Sequence, residues 1–255
     1  MQLLTNTWDA QLYNDKHSFV YGYGTALIDM LDPKKGERIL DLGCGAGQLT
    51  SKIKALCSEV VGIDSATEMI ENAREQFPLI DFRVADAVDY HFKEKFDAIF
   101  SNATLHWVID HKKAIACMFE NLREGGRIAL EFGGKDNVEA ITDQLRKTLR
   151  FRGYEKQADL KVWYFPSIGE YTSALEDAGF TVTFAEWYDR LTPLVDTSSG
   201  IIDWLAMFGS PFFKVVADHE VEAIRIEVQE NLTKQLFKQG VWYADYKRIR
   251  VLAVK

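Results

Sequence analysis

The sequence predicts an α/β protein whose strands build a parallel sheet, and three observations carry that prediction. Between Glu37 and Phe132, short apolar runs alternate with segments of helical period, the pattern of repeated βαβ units. The first run, Arg38-Ile-Leu-Asp-Leu42, leaves through three alternate glycines, Gly43, Gly45 and Gly47. The second, Val60-Val-Gly-Ile63, ends on an acid, Asp64.

Asp81–Val84, Phe96–Ser101 and Arg127–Phe132 supply the next three strands. Leu49, Ile53, Leu56 and Cys57 fall at helical spacing after the first strand, and Ile115, Met118, Phe119 and Leu122 do so after the fourth. The Gly125-Gly126 pair is read as the stop of that later helix. Ser65-Ala-Thr-Glu68 has capping-box spacing, so a helix is expected just after Asp64. Ser167-Ile-Gly-Glu170 repeats the signal, and its helix runs through Tyr171, Leu175 and Ala178 to Gly179 before a strand over 180–187. Val221, Ile224, Val228 and Leu232 mark a further amphipathic helix, and 248–254 alternates as a last strand. The whole chain, 1–255, reads as one domain. Two aromatic-rich insertions, 136–165 and 192–243, are expected to lie outside its sheet.

Composition narrows the class. A chain of 255 residues, 47 % hydrophobic and 27 % charged, is long enough for one large core. Its formal charge of −8 gives no overall attraction to nucleic acid or anionic membrane, so neither is expected as a partner. The three cysteines, Cys44, Cys57 and Cys117, form no CxxC pair, which fits a reduced compartment and predicts no metal cluster. With no leader pattern and no bilayer-length apolar run, a cytoplasmic location is expected, as monomer or homodimer.

A strand that ends in alternate glycines and passes into a helix lets backbone approach a ligand, while the N–H groups of the helix start face it. Asp64, closing the second strand, stands where a carboxylate accepts bonds from ribose hydroxyls, and Asp86 follows the third strand within reach of an adenine. The dinucleotide fingerprint requires a small third residue at position 48, which is Gln48. Asp41, just before the turn, sits badly beside a pyrophosphate and well beside an ammonium. The set therefore fits S-adenosylmethionine better than NAD.

Leu40-Asp-Leu-Gly-Cys-Gly-Ala-Gly47, Val61-Gly-Ile-Asp64, Ala85-Asp-Ala87 and Phe96-Asp-Ala-Ile-Phe-Ser-Asn102 together resemble the ordered motifs of class I S-adenosylmethionine-dependent methyltransferases. Ser101-Asn-Ala-Thr-Leu-His-Trp107 and Trp8-Asp-Ala-Gln-Leu-Tyr13 resemble its trans-aconitate methyltransferase-like branch. The resemblance implies a Rossmann-like, doubly wound sheet of seven strands, six parallel and the last antiparallel, with the insertions as a helical cap. It places Gly43, Gly45 and Gly47 against the methionine moiety, Asp41 near its amino group and Asp64 on the ribose. Met69 would cover the adenine, Asp86 and Ala87 its edge, and Asn102 the exit of the fourth strand. Gln48 and Ser65 join this cofactor set beside Gly47 and Asp64. Residues 1–30 would form a cover helix carrying Tyr13 and His17.

The implied chemistry is methyl transfer to a small-molecule acceptor, a carboxylate or another oxygen nucleophile, with S-adenosylhomocysteine as product and no metal. A carboxylate attacks without losing a proton, so a general base is optional. His106 is the candidate base or donor, with a structural histidine as the competing reading. Trp204 and Phe208 are candidate walls of the acceptor pocket, or else packing, and Cys44 is a small filler. Arg248 and Arg250 read as a solvated strand face, or as contacts to an acidic substrate. A nucleotide-dependent oxidoreductase, a non-catalytic cofactor-binding module and a lipid cyclopropane synthase are the other readings of the sequence.

Overall fold

The computed structural model describes the backbone of residues 19–255 and side chains from residue 24. Tyr13, His17 and the Trp8 motif lie outside the described residues. The chain divides into two compact units, one comprising Ser18–Lys135, Trp163–Tyr188 and Arg248–Lys255, the other Asp136–Val162 and Asp189–Lys247.

The first unit is organised by the sheet. Strands β1 (Arg38–Leu42), β2 (Glu59–Asp64), β3 (Asp81–Val84), β4 (Phe96–Asn102), β5 (Leu122–Gly133), β6 (Thr181–Pro193) and β8 (Val241–Val254) lie in the order β3-β2-β1-β4-β5-β8-β6. A two-residue β7 (Phe237–Lys238) pairs with β8 off this path, in the second unit. Pairings among β1 to β5 are parallel, and β8 runs antiparallel to β5. The doubly wound sheet read from the sequence is therefore present, with β7 as an added eighth strand. Its order reverses between β1 and β4, which opens a crevice at their carboxyl ends. Every residue of β4 is buried, as a central parallel strand covered on both faces requires.

Alternation along the strands sends two cores to opposite faces. Leu40, Leu42, Ile63, Ile99, Leu130 and Val251 pack on one face with Ile115 and Met118 of α4 (His111–Asn121) and Tyr171 and Leu175 of α7 (Ile168–Asp177). On the other face Ile39, Ala98, Phe100 and Ala129 meet Leu27, Ile28 and Leu31 of α1 (Phe19–Leu31) and Leu49 and Ile53 of α2 (Gln48–Lys54). α3 (Thr67–Gln76) buries Ile70 and Ala73 against Phe82 and Cys44. In the second unit α5 (Glu139–Phe151) lies against α10 (Asp218–Leu236), accompanied by α6 (Glu155–Ala158), α8 (Gly200–Phe208) and α9 (Ser210–Phe213).

Several boundaries differ from the sequence reading. α2 ends at Lys54, leaving Leu56 45 % exposed beyond it. α4 stops at Asn121 rather than at Gly125-Gly126, because the buried Asn121 amide donates to the carbonyls of Cys117 and Tyr90 and accepts from Phe92 N–H. Leu122 then opens β5, and the glycines lie inside its irregular start. A Cβ at Gly126 would meet the Asp97 carbonyl at 3.1 Å and the carbonyl of Arg123, three residues earlier, at 2.8 Å, so backbone approach explains that glycine. The Ser65 capping box does not form. α3 begins at Thr67 with Ala66 as its cap residue, and the Ala66 N–H bonds to Asp64 Oδ1 at 2.9 Å instead. Ser167, by contrast, caps α7 and accepts the Glu170 N–H.

These two serines give opposite expectations. Ser167→Ala loses a cap and should cost about 1 kcal/mol, whereas Ser65→Ala should stay within roughly 0.5 kcal/mol of the parent. Urea unfolding of both variants checks the contrast.

Candidate active site

The site is built around the turn from β1 into α2. Gly43, Gly45 and Gly47 adopt φ values of +78°, +54° and +86°, the left-handed region that side chains disfavour. Their roles differ. A Cβ on Gly43 would fall 2.0 Å from Thr104 Oγ1, and one on Gly47 would fall 2.7 Å from the Phe82 ring, so both admit packing of the protein on itself. A Cβ on Gly45 would meet nothing within 4 Å, so this glycine alone of the three faces open space.

Asp64 ties the turn to β2. Its Oδ2 accepts the Gly45 N–H at 3.0 Å while Oδ1 takes the Ala66 N–H, so one carboxylate fixes two strand-to-helix turns. Burial raises its proton affinity, and the N–H bonds from Ala66 and Gly45 oppose that rise. Asp41, 2 % exposed at the end of β1, accepts the Thr50 hydroxyl of α2 at 2.6 Å. Burial pushes its carboxyl up to about 7, against the lowering effect of Thr50 and with a smaller push from the Asp64 charge. Burial likewise drives the Cys44 thiol well up, which keeps it protonated and unsuited to attack.

The other residues expected to meet the cofactor lie at or just after the carboxyl ends of β1 to β4. Gln48 opens α2 with Oε1 buried and without a hydrogen-bond partner among the described residues. Ser65 is exposed after Asp64, Met69 is 5 % exposed on α3, and Asp86 is exposed beyond β3 beside the buried Ala87. Asp86 Oδ1 accepts the Val88 N–H at 3.1 Å, which folds that loop back. Asn102 ends β4 with Oδ1 buried and unpartnered among the described residues.

His106 sits in a short 3-10 turn after β4, 8 % exposed. Its Nδ1 accepts the Gly133 N–H at 3.4 Å, which assigns the proton of the neutral ring to Nε2. Its ring lies 5.5 Å from Trp107 and 5.8 Å from Phe165, and Trp163 packs 5.6 Å from Trp107 and 5.7 Å from Phe165. Trp204 and Phe208 lie in the second unit on α8, their rings 5.2 Å apart, with Trp204 Nε1 donating to the Tyr246 hydroxyl at 2.8 Å.

Sequence reasoning missed Thr50, Thr104, Trp163, Phe165 and Glu131. Arg248 and Arg250 do not form a solvated face: they are 3 % and 16 % exposed at the side chain, beside the fully buried Glu131. No signal in the local sequence pairs Glu131 with residues more than a hundred positions later. Among the described residues, no group of three His, Cys, Asp or Glu side chains is placed to hold a metal ion.

Comparison with known proteins decides the family. The methyltransferase domain family matches residues 40–130. Along 97 % of its length, covering 98 % of the relative, the chain is 31 % identical to an uncharacterized methyltransferase of Schizosaccharomyces pombe. The chain belongs to the class I S-adenosylmethionine-dependent methyltransferases. The trans-aconitate 2-methyltransferase of Mycolicibacterium gilvum is 29 % identical over 89 % of this chain and 91 % of its own. In fold the methyltransferase is similar to a Bacillus halodurans protein described as a methyltransferase, at TM-score 0.63 and 16 % identity, covering 91 % of this chain and 98 % of that one. An S-adenosylmethionine-dependent methyltransferase of Mesorhizobium loti superposes at TM-score 0.55 with 20 % identity, covering 91 % and 96 %. The family selects the methyltransferase reading over the oxidoreductase and binding-module readings. The residues present fit its cofactor, since Gly45 opens onto free space and the unpartnered Gln48 and Asn102 oxygens offer acceptors.

The Asp41 environment predicts a pH dependence. Its carboxyl is raised on folding from 3.8 to about 7, so the stability linked to it is full below about pH 4 and is lost as pH rises through about 7. In the ligand-free methyltransferase, Asp41→Asn should flatten the decline in stability over that window, read from denaturant midpoints at successive pH values.

Proposed function

We propose that this methyltransferase esterifies a small carboxylic acid, with trans-aconitate as the first acceptor to test. The observation that carries the reading is the match along 89 % of the chain to a trans-aconitate 2-methyltransferase. The state of His106 supports it: a hydroxyl or amine acceptor needs a base, whereas the imidazole acceptor nitrogen receives the Gly133 N–H. A carboxylate needs none.

S-adenosylmethionine supplies a methyl group that its sulfonium has already activated. The turn Gly43–Gly47 would hold the amino-acid end, with Asp41 near the ammonium and Gln48 alongside. Asp64 keeps lone pairs beyond those given to Gly45 and Ala66, and these would accept the ribose hydroxyls. Met69, Ala87 and Asp86 would enclose the adenine, with Ser65 and Asn102 at the margins. The protein's contribution is then to align the acceptor oxygen with the S–CH3 axis and to exclude water. In this reading Trp204, Phe208, Tyr13 and His17 are the candidate acceptor contacts. No described helix is long and apolar enough to cross a membrane.

Incubation with methyl-labelled S-adenosylmethionine and a panel of acids, alcohols and amines tests the reading. Label should enter base-labile methyl esters with release of S-adenosylhomocysteine; label found only in ethers or amines contradicts it. Asp64→Ala should weaken S-adenosylhomocysteine binding by about 1.5–3 kcal/mol, the usual worth of hydrogen bonds to a charged group, and calorimetric titration measures that loss. Trp204→Ala should leave cofactor affinity near the parent while turnover falls; a joint loss of affinity and thermal stability makes Trp204 core instead.

A further inference from the structure

Strands β1 and β4 part where the crevice opens. Their register ends at Asp41 opposite Phe100, whereas β4 stays in register with β5 up to Asn102 opposite Glu131. The carbonyls of Leu42 and Gly43 therefore lie beyond the backbone pairing of β1 with β4. Two hydroxyls reach them instead. Ser101 Oγ donates to the Leu42 carbonyl at 2.8 Å, and Thr104 Oγ1 donates to the Gly43 carbonyl at 3.1 Å. Ser101 is buried within β4, while Thr104, two residues past the strand, is half-buried.

Thr104 is held in place from both sides. Before it, Ala103 takes φ +59°, the left-handed region that an alanine disfavours, with its N–H on the Glu131 carbonyl at 2.7 Å. Such strain persists only where the surroundings enforce it, and here it turns the chain out of β4 and back toward Gly43. After it, the Thr104 carbonyl accepts the Trp107 N–H at 2.9 Å, so the 3-10 turn that carries His106 starts on this residue. The approach to the glycine turn is close: a Cβ on Gly43 would fall 2.2 Å from Thr104 Cγ2 as well as against the hydroxyl. That hydroxyl also lies 3.2 Å from the Asn102 carbonyl, so its one proton is shared between the glycine turn and the end of β4.

We infer that Thr104 is a positioning residue of the methyl transfer, whose hydroxyl fixes the Gly43–Gly47 turn against the turn that carries His106. The first turn is the one that would hold the methyl donor, and the second follows β4 on the other side of the switch point. Their separation sets how an acceptor meets the S–CH3 axis. Packing alone does not require the hydroxyl, because a valine fills the same space. The inference rests on the reading that S-adenosylmethionine lies against the Gly43–Gly47 turn, and adds the group that ties the donor side to the β4 side.

Amide hydrogen exchange of the parent, Thr104→Val, Thr104→Ala and Thr104→Ser, with and without saturating S-adenosylhomocysteine, tests it. In the parent the ligand should slow exchange several-fold at Gly43, Gly45 and Gly47, and also at Trp107 and Val108, whose N–H groups close the 3-10 turn. Thr104→Val should keep the added protection at the glycines and lose it at Trp107 and Val108, whereas Thr104→Ser should keep both. Thr104→Ala puts no methyl in place of the hydroxyl and gives the same reading if the valine variant does not fold. On the acceptor methylated in the panel above, kcat of the valine variant should fall about 10-fold while the KM for S-adenosylmethionine stays within about threefold. Ligand protection that spares Trp107 and Val108 in the parent, or reaches them equally in the valine or alanine variant, overturns the role of Thr104 and leaves the cofactor reading standing. A parent with no ligand protection at the glycines overturns both.

Discussion

The structure of the site depends on one carboxylate held between two turns. Asp64 receives the Gly45 N–H from the β1 turn and the Ala66 N–H from its own, so one carboxylate ties together the two loops that border the crevice. That arrangement requires positive φ on alternate residues, and it requires Thr104 and Phe82 to fill the space that Gly43 and Gly47 leave. Of the three turn glycines, Gly45 is the one whose Cβ would meet nothing among the described residues. A turn that must bend, pack and face a ligand within five residues has few sequence solutions, and alternate glycine is one.

The sheet separates structural charge from functional charge by its two ends. At the amino end Glu37 holds Arg127 at 2.6 Å and Asp97 pairs with Arg123 while accepting the Arg38 N–H, so each buried acid has a basic partner. These pairs close the bottom of the strands. At the carboxyl end Asp41, Asn102 and Glu131 sit on one face, and their partners are a hydroxyl, no described group, and a pair of arginines respectively. Parallel strands bring their carboxyl ends to the same side, which is why residues about ninety positions apart gather there.

Much of this was legible in the sequence, and the physical reason is locality. Gly43, Gly45, Gly47 and Asp64 act through the backbone of their own turns, so their spacing carries their meaning. The pattern of the first five strands was readable for the same reason, since burial on both faces writes continuous apolar runs. Ser65 and Leu56 were misread because a local signal met a tertiary competitor: the Asp64 carboxylate took the N–H, and α2 ended a turn early. Glu131 with Arg248, and Trp163 and Phe165 with His106, were illegible because only the tertiary fold brings them together, strand register for the first pair and the Tyr164 N–H bond to the His106 carbonyl for the second. The alternation of Arg248 and Arg250 was visible, but its facing direction was not.

The central claim is that S-adenosylmethionine occupies the crevice framed by the Gly43–Gly47 turn and Asp64. Titration of the labelled protein with S-adenosylhomocysteine, followed by amide resonances, tests it most directly. The account predicts saturating shifts concentrated at Gly43 to Gln48, at Ala66 and at Ala87, because those N–H groups border the crevice. Saturable shifts confined to another region, such as the groove of about 450 Å³ lined by Glu139, Asp143, Lys147 and Asp245, with the turn unmoved, would contradict it.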